Sequence, residues 1–124
     1  MSKVLELIRQ RALVKGVEVK LASGKPSNFY VDCKRITLHG PSLKTVGAAF
    51  WNYLKVQNPT HVAGVSVGGD PLVAAILLAA EAEGKELSGL LVRKEKKSHG
   101  LSQGRAVDGL APEANDSVWL VEDV

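Results

Sequence analysis

Apolar and polar positions alternate with two different periods along the chain, and the switches between them divide it into elements. Residues Lys3–Val14 place Val4, Leu5, Ile8 and Ala12 at helical spacing, with Ser2 as a candidate N-cap and Gly16 as the stop. This reads as a short amphipathic helix with a packing role. Val17–Leu21 alternates apolar and polar residues, Ser23-Gly24-Lys25-Pro26 supplies turn chemistry, and Asn28–Lys34 alternates again. That pattern predicts a β-hairpin or a pair of short strands. In the second strand Phe29, Val31 and Cys33 fall on one face and Tyr30, Asp32 and Lys34 on the other. One of the two adjacent aromatics is therefore expected in the core, and the other is free to stack on something flat.

Pro41-Ser42 opens a second helix with Leu43, Val46, Gly47, Phe50 and Leu54 on one stripe, closed by Asn58-Pro59. Trp51 and Tyr53 lie off that stripe and suggest a second contact surface, a subunit interface being one use for it. His61–Val67 is small and β-branched, as in a buried strand. After Gly68-Gly69 comes a strongly apolar helix, Leu72–Glu83, with Asp70 as expected N-cap, Pro71 at the first helical position and Gly84 as stop. Leu87–Arg93 and Ser117–Val121 are the remaining strands. Strand, glycine turn, helix, strand is a βαβ unit with a parallel pair, so the fold class is α/β with a parallel sheet flanked by helices. The turn Gly68-Gly69, the segment from Arg93 and the pair Glu122-Asp123 each follow a strand. In a parallel sheet all three share the carboxyl edge, where open α/β sheets bind ligands.

Composition narrows this reading. At 124 residues, 45% hydrophobic and 23% charged, the chain reads as one ordinary globular domain. Its single cysteine, Cys33, allows no internal disulfide and fits a reducing cytoplasm. The N-terminus has charges within its apolar pattern and is no signal peptide, and the longest apolar run, Pro71–Ala80, is too short to span a bilayer. No membrane partner is expected.

Charge changes the picture more. Arg93, Lys94, Lys96 and Lys97 against Glu95 give one pentapeptide a formal +3, equal to the net charge of the whole chain. His99 follows, then Gly100, Gly104 and Gly109 with Ser98 and Ser102, the composition of a loop. A charge run alone is commonly a solvated loop. At the end of a strand beside a glycine turn it suits a phosphate or pyrophosphate. Gly68-Gly69 before a helix allows backbone N–H groups to approach an anion. Glu122-Asp123 can accept hydrogen bonds from sugar hydroxyls or help hold Mg²⁺ through water. The charge is local and no basic stripe is interleaved with exposed aromatics, so no nucleic-acid partner is expected. No HxxxH or CxxC spacing points to zinc, and no serine sits in a nucleophile elbow.

The segments LASGKPSNFYVDCKR, VSVGGDP, LLVRKEKKSHG and VWLVEDV, in this order, resemble the orotate phosphoribosyltransferases, members of the type I phosphoribosyltransferases. The resemblance covers essentially the whole chain, and RKEKKSHG is its most specific part. It implies a type I phosphoribosyltransferase fold in one domain. Residues 1–40 would form an N-terminal helix and β-containing hood, and residues 41–124 a partial α/β core. It also implies transfer of the 5-phosphoribosyl group from phosphoribosyl pyrophosphate (PRPP) to orotate in pyrimidine nucleotide biosynthesis, with pyrophosphate released.

By matching position, the resemblance assigns Lys94, Lys97 and His99 to catalysis. It assigns Arg93, Lys94, Lys97, His99, Glu122, Asp123, Val124, Gly68 and Gly69 to PRPP. Lys25, Phe29 and Tyr30 fall beside orotate. Mg²⁺ is expected to arrive with PRPP, without a direct protein ligand, Asp123 being the candidate for contact through water. A homodimer is implied, because the family's basic loop reaches into the neighbouring subunit's site. Two positions depart from some family members, which carry lysine at Gly68 and at Ala22. The chain is also expected to be truncated at the start of the PRPP motif. The Thr/Gly-rich loop that cradles the ribose 5-phosphate would follow Val124, and Val118–Val121 is expected to leave apolar surface exposed. The alternative readings are a non-catalytic PRPP-binding regulatory relative and an inactive fragment of the enzyme. The first is disfavoured by the intact RKEKKSHG segment and by the lack of a helix-turn-helix before Val17. A purine phosphoribosyltransferase is disfavoured by the SGKPSNFYVD segment.

Overall fold

The computed structural model describes residues 2–95, 100 and 106–124. The first helix, α1 (Ser2–Leu7), runs directly into a π-helical turn, Ile8–Ala12, and then into strand β1 (Leu13–Lys20). The helical spacing predicted helix through Val14, but strand pairing wins two residues earlier. Leu13 and Val14 pair antiparallel with Val31 and Tyr30 of β2 (Pro26–Val31), and Asp32 N–H donates to the Ala12 carbonyl at 2.9 Å. Gly16 therefore does not stop a helix. It lies at φ +76° where the β1–β2 register shifts between Lys15 and Val19, the place of a bulge.

β2 ends before Cys33, short of the predicted Lys34. The Cys33 carbonyl accepts from the N–H groups of Ile36 and Thr37 at 2.9 Å and opens a short helix, α2 (Lys34–Thr37), that the pattern did not predict. The expectation of one core aromatic also fails. Phe29 and Tyr30 are 52% and 46% exposed, since β1 and β2 form a two-stranded sheet of their own.

Helix α3 (Gly40–Leu54) follows with Pro41 in its first turn, and His39 Nδ1 lies 2.7 Å from Ser42 Oγ. A 3₁₀ turn, Lys55–Gln57, and left-handed Asn58 end it before Pro59. Trp51, placed off the apolar stripe by the sequence, is buried. Its Nε1 donates to the Glu83 carboxylate, which also meets Lys55 Nζ at 3.0 Å. The burial has a local cause. A Cβ at Gly47 would lie 2.7 Å from Ala75 Cβ, so α3 approaches α4 closely enough to widen the contact. Tyr53 remains exposed.

The larger sheet has strands β3 (His61–Val65), β4 (Ser88–Val92), β5 (Val107–Asp108) and β6 (Val118–Val121) in the order β5-β4-β3-β6. β3 is parallel to both β4 and β6, with α4 (Asp70–Ala82) as the β3–β4 crossover. The short edge strand β5 is antiparallel to β4, so the sheet is mixed rather than wholly parallel. Asp70 is the first residue of α4 and not its N-cap, the place held by Gly69.

Strand alternation sorts the sheet into two faces. Val62, Trp119 and Val121 join Trp51, Leu54, Val73, Ile76 and Ala80 in the core beneath α3 and α4. Ala63, Leu90, Val92, Val118 and Leu120 line a groove of about 640 Å³ on the other face. Val118 and Leu120 are 43% and 63% exposed there. No helix of the described residues is long and apolar enough to cross a membrane.

Candidate functional site

Because β3, β4 and β6 run parallel, the residues that follow them emerge on one edge. A cleft of about 580 Å³ opens there, lined by Val65 at the end of β3 and Ser66–Gly68 after it, Lys94 after β4, Glu122–Val124 after β6, and Lys34 at the start of α2. Grooves of similar size between α3 and α4, and on the open sheet face, are walled mainly by alkyl groups. Among the described residues, the edge cleft brings two ammonium groups, two carboxylates and a glycine turn together, and the chemistry is assigned there.

The turn after β3 is fixed by hydrogen bonds to its own strand and to the next. Gly69 N–H donates to the Val65 carbonyl at 2.8 Å, Asp70 N–H to the Val67 carbonyl at 3.2 Å, and Ser66 N–H to the Val92 carbonyl at 2.9 Å. Ser66 Oγ donates to Asp70 Oδ1 at 2.7 Å and ties the turn to the first residue of α4. The Ser66–Val67 peptide bond is cis. Among the described residues, no hydrogen bond engages the N–H groups of Val67 and Gly68. Two glycines are required by space. A Cβ at Gly69 would lie 2.7 Å from Val65 N, and one at Gly68 would run into the Asp123 carboxylate. This is the physical content of the departure at Gly68: a side chain there and the observed place of Asp123 exclude each other.

Cys33 sits between the hairpin and this cleft. Burial pushes its thiol pKa up, the Asp123 and Asp32 carboxylates push it further, and the Lys34 ammonium opposes them. The thiol is therefore no ready nucleophile at neutral pH. Glu122 Oε1 accepts from Asp123 N–H at 2.9 Å. Among the described residues no group of three or more His, Cys, Asp or Glu side chains could hold a metal ion. Two adjacent carboxylates at the cleft suit a Mg²⁺ ion that brings its own phosphate and water ligands, as this ion usually does.

The residues singled out from the sequence separate into three groups. Gly68, Lys94, Glu122, Asp123 and Val124 line the cleft, with Gly69 in the turn behind it. Four others lie elsewhere. Arg93 Nε donates to Asp108 Oδ2 at 2.6 Å, across the β4–β5 pair, and does not line the cleft. Lys25 is in the β1–β2 turn, where its carbonyl accepts from Leu21 N–H at 2.9 Å. Phe29 lines a separate hollow of about 270 Å³ with Lys15, Gly16 and Asn28, and Tyr30 is exposed on β2. Lys97 and His99 lie outside the described residues. Sequence reasoning missed Lys34 and Ser66 as cleft residues. The alternation puts Lys34 at the end of the strand run Asn28–Lys34. Ser66 carried the one available signal, a hydroxyl four residues before Asp70 across a glycine turn.

The chain is similar to orotate phosphoribosyltransferases. No protein-family model matches it. It is 36% identical to the orotate phosphoribosyltransferase of Rhodopirellula baltica, over 100% of this chain and 65% of that protein. It is 40% identical to that of Streptomyces avermitilis, over 97% and 64% respectively. Among solved structures, the Mycobacterium tuberculosis orotate phosphoribosyltransferase in complex with Fe(III) dicitrate superposes with a TM-score of 0.74 at 28% identity, over 96% of this chain and 64% of that one. The same M. tuberculosis protein in complex with PRPP gives 0.68 at 25% identity, over 96% and 61%. The chain thus spans just under two thirds of the length of the curated relatives it matches.

Proposed function

We propose that this chain, which has the type I phosphoribosyltransferase fold, is of the orotate phosphoribosyltransferase family and transfers the 5-phosphoribosyl group of PRPP to orotate. A ring nitrogen of orotate forms the new bond to the ribose anomeric carbon and gives up its N–H proton to solvent or to the departing pyrophosphate. The bond from that carbon to the pyrophosphate oxygen breaks, and pyrophosphate leaves with the electron pair. The product is orotidine 5'-monophosphate, a step of pyrimidine nucleotide biosynthesis. The observation that carries this reading is the sequence match over the whole of this chain. The convergence of a glycine turn, an ammonium group and a carboxylate pair on one cleft supports it.

In this reaction positive charge develops on the ribose ring and negative charge on the leaving group, and this chain's residues answer both. The Val67 and Gly68 N–H groups and Lys94 receive the diphosphate, joined by Lys97 and His99 as catalytic residues of the basic loop. Arg93 takes part by exchanging its bond to Asp108 for one to the diphosphate. Glu122 and Asp123 accept hydrogen bonds from the ribose hydroxyls, with Val124 continuing that motif. Mg²⁺ bound with PRPP would neutralise diphosphate charge, with Asp123 the residue placed to meet it through water. Phe29, Tyr30 and Lys25 take orotate from the hairpin side, which serves as a hood over the core in residues 1–40. The nucleophile belongs to orotate, and a protein nucleophile is not needed. We further propose a cytoplasmic homodimer in which the basic loop of one subunit completes the other's site.

The test is the loss of orotate ultraviolet absorbance when PRPP and Mg²⁺ are added to the chain, with reversal by pyrophosphate. A fall in absorbance sustains the proposal. PRPP binding without turnover would favour a regulatory, binding-only relative, and neither binding nor turnover would remove the assignment for this chain.

A further inference from the structure

We propose that Lys34 is a further anion-binding residue of the cleft and contacts the diphosphate group of the bound substrate or product. This rests on the function proposed above and adds a residue to it. Lys34 and Lys94 are the two cationic side chains that line the cleft among the described residues, and they come from opposite parts of the chain. Lys94 follows β4. Lys34 opens α2 and faces the Ser66–Gly68 turn and the Glu122–Val124 segment across the cavity.

Its backbone is held in place. Ile36 and Thr37 are buried at 3% and 5% exposure, Arg35 N–H donates to the Asp32 carbonyl at 3.1 Å, and Leu38 N–H donates to the Lys34 carbonyl at 2.9 Å. The ammonium is not consumed by its neighbours. Asp32 pairs with Arg35 at 3.3 Å, and Lys34 forms none of the ion pairs found among the described residues. The opposing effects of Asp123 and Lys34 on the Cys33 thiol place both charges near one point beside the turn. A compact ammonium on a flexible stem, beside two unengaged backbone N–H groups, suits a phosphate oxygen better than a flat carboxylate that needs a two-pronged partner. Glu122 and Asp123, which line the same cleft, remain for the hydroxyl-bearing part of the ligand.

The experiment measures binding of inorganic pyrophosphate with Mg²⁺ to the 124-residue chain by calorimetry at low salt, with orotate as a second probe. Lys34→Gln is expected to weaken pyrophosphate about tenfold or more, the scale of one lost charge-assisted hydrogen bond. Lys34→Arg should stay within about threefold of wild type, since it retains the cation. Lys85→Gln, the same charge change after α4 at the opposite edge of the sheet, should leave affinity unchanged and measures the general loss of charge. Wild-type binding with an unaltered Lys34→Gln overturns the role of Lys34 and leaves the proposed function standing. Equal weakening in Lys34→Gln and Lys85→Gln overturns it too, as does a Lys34→Gln effect on orotate alone. A wild-type chain that binds no pyrophosphate overturns both the role and the proposed site.

Discussion

Replacing Gly69 by alanine tests the idea that the site's shape is set by close backbone approach. Gly69 has φ −77° and ψ −19°, a conformation open to any residue, so the substitution adds no left-handed strain. Taken alone, alanine should stabilise by about 0.4–1 kcal/mol, because it restricts the unfolded chain. Space decides otherwise. The new Cβ would lie 2.7 Å from Val65 N, 2.9 Å from Gly64 Cα and 2.9 Å from Val65 O, where ordinary contact begins at 3.4 Å. All three atoms are backbone of β3, which is clamped between β4 and β6, and no rotamer change can relieve them. The turn must move outward by about 0.5–0.7 Å, which costs about 1–3 kcal/mol as overpacking. The Gly69 N–H bond to the Val65 carbonyl is lost with it, at about 1 kcal/mol. The net expectation is a loss of about 1–3.5 kcal/mol.

Urea denaturation followed by circular dichroism and tryptophan fluorescence measures this as a lower midpoint with unchanged slope. Gly24→Ala is the comparison. Gly24 sits at φ +83° with nothing within 4 Å of its missing Cβ, so its cost is the left-handed conformation alone, about 1–2 kcal/mol. The turn variant should also bind pyrophosphate more weakly, because the Val67 and Gly68 N–H groups move with the backbone. A Gly69→Ala chain within about 0.5 kcal/mol of wild type would refute the reasoning.

Two pH responses follow from the ionisable groups. Burial, then Asp123 and Asp32, raise the Cys33 pKa above its ordinary 9.0, so the thiol's share of stability is intact below pH 9.0 and fades as pH rises through the folded value. Iodoacetamide should therefore modify native Cys33 with a midpoint above that of the urea-unfolded chain, and Asp123→Asn should shift the native midpoint down by part of the gap. A native midpoint at or below the unfolded one sinks this account. Glu83 behaves oppositely. The hydrogen bond from Lys55, then that from Trp51, hold its carboxyl below the ordinary 4.5, so its contribution is present above pH 4.5 and is lost as pH falls through the folded value. The difference in tryptophan fluorescence between wild type and Glu83→Gln should titrate below pH 4.5. A midpoint at or above that value would detach Trp51 emission from the Glu83 contact.

By itself the sequence determined the order of the main elements and the edge on which the chemistry gathers. The small, β-branched run His61–Val67, the Gly68-Gly69 turn, the apolar helix after Pro71 and the strand runs Leu87–Arg93 and Ser117–Val121 are local signals. A right-handed crossover between parallel strands leaves little freedom in where their ends go. That is why Gly68, Lys94, Glu122 and Asp123 were legible as neighbours although they are far apart in the chain. Tertiary structure decided what local pattern cannot carry. Leu13 and Val14 became strand because β2 offered them partners, and Trp51 became core because Gly47 let α4 approach. Arg93 turned to Asp108 because an antiparallel edge strand, too short to leave a periodic signal, brought that carboxylate alongside. Lys34 entered the cleft because Ile36 and Thr37 are buried and pull the chain out of β2. Each of these outcomes depends on a contact between distant segments, where the free energy of packing and pairing exceeds the few tenths of a kcal/mol per residue by which intrinsic preferences differ, roughly 0–0.7 kcal/mol for ordinary residues.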